Sequence, residues 1–164
     1  MAKAHYLTAL YKRSIAACQL TKERKGAIKD LKTAERLATN LLVGEAQNNF
    51  VEERLLTTLE AHADCELREG NAQSALNIAD RLVKRRYEKF ERTPDNPLYI
   101  SRLITSQLLM AKISLSMNQF DKACDYFQQG NLMVDKFKVT SKNAPSFQLN
   151  THINEVKSGF DTCL

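Results

Sequence analysis

The 164-residue chain carries 24 Lys+Arg against 19 Asp+Glu, a formal net charge of +5, with five glycines, three prolines and no tryptophan. Its 43% apolar and 26% charged residues exclude a disordered tail, and the scarcity of glycine and proline excludes the turn-rich punctuation of a many-stranded sheet. The expectation is one all-α domain over residues 1–164.

Apolar residues recur at helical spacing in one segment after another, and the separators carry helix stop and start signals. The first helix, near 3–20, sets Leu7, Leu10, Tyr11, Ile15 and Cys18 on one face. Thr21 is placed to cap a second, which runs to about Leu42 with Ala27, Ile28, Leu31, Ala34 and Ala38 inward until Val43-Gly44 ends it. The third runs to Glu69 with Leu55, Leu59, Ala63 and Leu67 inward, and Gly70-Asn71 supplies a glycine C-cap and a tight turn. The fourth has the cleanest stripe: Ala72, Ala75, Leu76, Ala79, Leu82, Val83 and Phe90. Thr93-Pro94-Asp95-Asn96-Pro97 then breaks the chain, with Pro97 suited to the first helical position and Asn96 to the cap before it. A fifth helix shows Ile100, Ile104, Leu108, Ala111 and Leu115, and Asn118-Gln119 turns into a sixth with Phe120, Ala123, Cys124, Phe127, Val134 and Phe137. After Ser141 to Pro145 a seventh shows Phe147, Leu149, Ile153, Val156 and Phe160.

No apolar run is long enough to cross a bilayer, and Met1-Ala2-Lys3-Ala4-His5-Tyr6 has neither an apolar h-region nor a cleavage site. A cytoplasmic protein without a membrane partner is expected. Cys18, Cys65, Cys124 and Cys163 lie far apart along the chain, with no CxxC pair, which suits reduced thiols used as small hydrophobes. His62, Glu66 and Glu69 share one face of the third helix beside Asp64 and Cys65, but neither Glu-x-x-His nor His-Glu-x-x-His occurs. They read as an exposed polar face, and no metal or cofactor is expected. With no Gly-rich phosphate loop and no nucleophile motif, the chain reads as a non-enzyme.

Charge is unevenly placed: residues 45–69 hold seven acids and two arginines, while 81–92 hold six bases and two acids. The second run includes Lys84, Arg85, Arg86 and Lys89, the candidates for a nucleic-acid contact. Bases near a helix C-terminus also complement its macrodipole, and the acidic third helix would repel phosphate, so nucleic acid is the disfavoured partner.

The helices repeat at i, i+48 and i+96. Ala27, Ala75 and Ala123 fall at equivalent positions, as do Leu7, Leu55 and Leu103, then Ile15, Ala63 and Ala111, then Ile28, Leu76 and Cys124, then Leu31, Ala79 and Phe127. Ala63, the turn Gly70-Asn71-Ala72-Gln73-Ser74-Ala75 and Ala79 form one copy of a helix–turn–helix pattern. Ala111, Asn118-Gln119-Phe120-Asp121-Lys122-Ala123 and Phe127 form a second, and a degenerate first copy holds Ile15, Lys22 and Ala27. On these residues the chain resembles the tetratricopeptide repeat family over about residues 4–138, departing from it in its long period and lack of tryptophan.

The resemblance implies an α-α superhelix of three hairpins, about 3–43, 46–93 and 96–138, with a capping helix at about 145–162. It implies a protein-interaction module that takes a peptide or protein surface in a groove. The matching groove positions are Thr57, Glu60, Asp64, Leu67 and Arg68 in one copy, and Thr105, Leu108, Lys112, Leu115 and Ser116 in the other. Two alternatives stand beside it: a regulatory helical domain excised from a larger sensor or kinase protein, fitting a chain that starts in a helix and stops at Leu164, and the nucleic-acid binder.

Overall fold

The computed structural model describes residues 2–44, 48–141 and 145–164, and these are helical apart from turns, with no strand among the described residues. The helices are α1 Ala2–Cys18, α2 Arg24–Gly44, α3 Asn49–Arg68, α4 Ala72–Arg92, α5 Pro97–Ser116, α6 Phe120–Thr140 and α7 Phe147–Asp161. Each expected helix is present. Residue 46, where the second hairpin was expected to begin, lies outside the described residues.

Local chemistry sets the ends. Asn96 accepts a hydrogen bond from the Leu98 N–H at 3.0 Å and Pro97 opens α5, as expected of that pair. Asn48 caps α3 through the Val51 N–H and Ser146 caps α7 through the Leu149 N–H. Thr21 does not cap α2: residues 21–23 form a turn, and the bond into the first turn of α2 runs from the Ala27 N–H to the Glu23 carbonyl at 2.9 Å.

The period is written into the backbone. Helices α2, α4 and α6 are each 21 residues long and begin at the equivalent positions Arg24, Ala72 and Phe120. Helices α3 and α5, each 20 residues long, keep the same interval with their starts at Asn49 and Pro97. Gly70 (φ 88°) and Asn118 (φ 57°) are likewise one period apart and share the left-handed conformation that glycine and asparagine tolerate best. Their turns share the bond that closes the helix. The Asn71 N–H reaches the Glu66 carbonyl and the Gln119 N–H reaches that of Ser114, both at 2.9 Å, which satisfies carbonyls left open by the ending helix.

The chain forms two compact units, Met1–Ile78 and Ala79–Leu164, with the division inside α4. In the first, α1, α2 and α3 touch one another pairwise. Leu7, Leu31, Ala34, Leu55, Leu59 and Ala63 are buried there, and Ala27 and Ala75 give the close approaches that small residues allow. Ile15 is an exception to the expected face of α1. It is 37% exposed, and its neighbour Ser14 is buried with its hydroxyl donating to the Leu10 carbonyl.

In the second unit α5, α6 and α7 also touch pairwise, around Ile100, Ile104, Phe127, Val134, Ile153 and Val156. Gly159 lies against the Phe127 ring so closely that a Cβ there would fall 2.3 Å from a ring carbon. Leu115, Phe120 and Phe147, expected inward, are exposed; Phe120 and Phe147 are the first residues of their helices and Leu115 is the last but one of α5.

Both units are cross-linked. Cys18–Cys65 joins α1 to α3 and Cys124–Cys163 joins α6 to the residues after α7, each with Cα atoms 5.6 Å apart. The expectation of four reduced thiols is thereby corrected: the partners are 47 and 39 residues apart in sequence, and only helix packing brings them together.

Candidate functional site

The groove positions fall on α3 and α5, and each set is described within its own unit. On α3, Thr57, Glu60, Asp64 and Leu67 are half-buried and Arg68 is exposed. Thr57 turns its hydroxyl back to the Arg54 carbonyl, and Arg68 Nε donates to Asp64 Oδ2 at 2.7 Å, so Thr57, Asp64 and Arg68 are engaged within their own helix. On α5, Thr105 is half-buried, Lys112, Leu115 and Ser116 are exposed, and Leu108 is buried in the core of its unit. Lys112 forms an ion pair with Glu155 of α7, while the Ser116 hydroxyl donates to the Ile113 carbonyl at 2.7 Å. The exposed part of this set is Lys112, Leu115 and Ser116, of which Lys112 and Ser116 already have partners in the fold.

The basic run of α4 divides into two faces. Lys84 and Arg85 are exposed; Arg86 and Lys89 are buried. Arg86 Nη1 donates to the Arg102 carbonyl at 2.9 Å, Thr105 Oγ1 at 3.1 Å and Ser106 Oγ at 2.6 Å. The Lys89 ammonium lies 5.5 Å from the Tyr99 ring centre, a cation–π distance. Two of the four residues suggested for phosphate contact therefore hold α4 against α5. Their spacing from Leu82, at i+4 and i+7, is the sequence signal that places them on the buried stripe.

The cluster on α3 is not the exposed polar face that the sequence suggests. His62 and Glu66 are 2% and 3% exposed. His62 Nδ1 lies 3.2 Å from Glu35 Oε2 on α2, and its Nε2, which makes no hydrogen bond, lies 3.5 Å from Glu66 Oε1. Glu66 also accepts from Asn71 Nδ2 at 2.7 Å and faces the Lys32 ammonium at 3.4 Å. Burial pushes the Glu66 carboxyl up, but hydrogen bonds from Asn71 and Ser74 and the charge of Lys32 outweigh it and leave it below the ordinary glutamate value. No group of three or more His, Cys, Asp or Glu side chains among the described residues is arranged to hold a metal ion.

Arg24 carries no local sequence signal, yet it caps two helices. Its Nε donates to the Cys18 carbonyl at 3.1 Å and its Nη1 to the Arg68 carbonyl at 2.8 Å, so one guanidinium serves the last residues of both α1 and α3. Glu69 lies 3.6 Å from the same group. Only the cross-helix packing could reveal this, because the acceptors lie 6 and 44 residues away.

No protein-family model, no curated protein and no solved structure matches the chain. No described helix is long and apolar enough to cross a membrane.

Proposed function

We propose that the chain is a non-enzymatic protein-interaction module, a tetratricopeptide-like stack of three hairpins closed by α7, which takes a peptide or protein surface against its A helices. The observation that carries this reading is the periodic recurrence of helix lengths, turn hydrogen bonds and left-handed turn residues. Helix α7 extends the recurrence: Pro145 and Gly159 follow Pro97 and Ala111 at the same interval. Its exposed positions are polar apart from Phe147, which suits the end of a repeat array. Such a stack offers its A helices, α3 in one unit and α5 in the other, as recognition surfaces, with Glu60 and Lys112 supplying opposite charges. The expected cytoplasmic location runs against the two closed cystines, because a reducing cytosol would hold both pairs as dithiols; the disulfide-linked form belongs to an oxidising compartment.

The test is affinity capture with immobilised wild-type protein, a Glu60→Lys variant, a Lys112→Glu variant and an Arg85→Glu control. A polypeptide retained by wild type and control but lost from the groove variants is the expected result. Equal retention on all four, or none on wild type, overturns the reading.

A further inference from the structure

We propose that the outer face of α2 is a docking strip for the phosphate backbone of a nucleic-acid duplex, bound without regard to sequence. Residues 1–44 hold nine Lys+Arg and three Asp+Glu, so the rest of the chain, with 15 and 16, is almost neutral. Much of that excess lies in one row. Lys25, Lys29, Lys32 and Arg36 follow one another at i, i+4, i+7 and i+11 and are all exposed, opposite the buried Ala27, Leu31, Ala34 and Ala38. The row spans about 16 Å along the helix axis. Lys32 is 60% exposed despite its contact with Glu66, and none of the ion pairs among the described residues involves Lys25, Lys29 or Arg36. Arg13 on α1 is paired with Asp30 and Lys32 faces Glu66, so the cations of the row without an acidic partner among the described residues are Lys25, Lys29 and Arg36.

The repeat supplies an internal control. The equivalent positions of α4 are Gln73, Asn77, Asp80 and Lys84, and those of α6 are Asp121, Asp125, Gln128 and Leu132. All eight are exposed as well, so the same solvent-facing row exists three times, and only the first copy is uniformly cationic. Solvation of a helix face does not require that, because the other two copies are solvated without it.

The row's composition selects the partner. Protein interfaces centre on a dehydrated apolar patch in which lysine is depleted, and a helix lying on a membrane adds apolar or aromatic side chains beside its cations. The exposed residues from 25 to 36 are Lys25, Gly26, Lys29, Lys32 and Arg36, with no apolar side chain among them. A straight line of cations with nothing to read a base fits phosphate contacts alone.

The experiment measures binding of the full chain to a labelled, mixed-sequence DNA duplex by fluorescence anisotropy, between about 50 and about 200 mM salt. Four neutralised phosphates give a log–log slope near −3.6, a loss of roughly a hundredfold over that range. The triple variant Lys25→Glu/Lys29→Glu/Arg36→Glu should bind at least about tenfold more weakly with a shallower slope. Lys84→Glu, at the position equivalent to Arg36, should bind like wild type. If the triple variant melts well below wild type, Lys25→Gln/Lys29→Gln/Arg36→Gln carries the same test. Equal binding by wild type and variant overturns the proposal. So does equal competition by polyglutamate of matched charge, or binding to phosphatidylserine vesicles in the absence of duplex binding.

Discussion

Glu66 is the residue at which burial and charge compete most directly. Its carboxyl is almost fully covered, yet its partners Asn71, Ser74 and Lys32 hold it ionised below the usual glutamate value. A group whose folded pKa is depressed adds stability that is present above its unfolded pKa and is lost as pH falls through the folded one. Unfolding free energy should therefore decline on acidification below the ordinary glutamate value, 4.5, and Glu66→Gln should flatten that part of the profile. Denaturant melts from neutral pH downward check this, and parallel profiles for the two proteins would refute it. Gly159 makes a second residue-scale case. A methyl group there would collide with the Phe127 ring, so Gly159→Ala should cost about 1–3 kcal/mol despite alanine's better helix propensity. Phe127→Leu should relieve much of that cost, a coupling that a double-mutant cycle of chemical melts would read directly.

At the scale of the helices, ends matter as much as faces. Arg24 serves the carbonyls that close α1 and α3 and is itself largely covered, with its side chain 13% exposed. Arg24→Ala should cost about 1–3 kcal/mol, and Arg24→Lys should recover only part of it, because a single ammonium cannot span both acceptors as the planar fork does. Asn118 holds the left-handed turn position that glycine fills at Gly70. Asn118→Gly should hence leave the fold intact and change stability by no more than about 1 kcal/mol, whereas Gly70→Ala should destabilise by about 1 kcal/mol. The helix faces give a harsher test: Ala75 and Ala123 are fully buried, and Ala75→Glu or Ala123→Glu should cost several kcal/mol by placing a charge without a partner between helices. Wild-type melting temperatures for both would sink the repeat register.

On the scale of the whole molecule, each compact unit carries one disulfide of its own. Closing loops of 47 and 39 residues restricts the unfolded chain by roughly 4 kcal/mol each in the chain-entropy account. Denatured, non-reduced protein should therefore show no free thiols, and reduction should lower its melting temperature markedly. The pairs differ in access: Cys18 and Cys65 are buried, while Cys124 and Cys163 are half-buried. A dithiol reductant applied to the native protein should open Cys124–Cys163 first, and mass-spectrometric mapping of alkylated cysteines would show the order.

What the sequence determined by itself is the helical inventory and its period. Apolar spacing, Asn96-Pro97 and Gly70 act within a few turns of one helix, so local chemistry settles them without knowledge of the neighbours, and the period is the recurrence of these local signals along the chain. The burial of Ala63, Ala75, Ala111 and Ala123 was legible for the same reason, since small residues at fixed intervals mark close crossings. The candidate site was legible only in outline. Leu108, Arg86 and Lys89 fall on the apolar stripes of their own helices, so helical spacing marked them as buried, and only their residue type or the repeat register suggested a contact surface. His62 and Glu66 read as solvent-facing charges until Glu35, Lys32 and Asn71 close around them from other segments. The cysteine pairs and the double cap at Arg24 likewise depend on contacts across tens of residues. Only tertiary structure decides these features, because burial and pairing are properties of two surfaces meeting, and a single helix carries the pattern of only one of them.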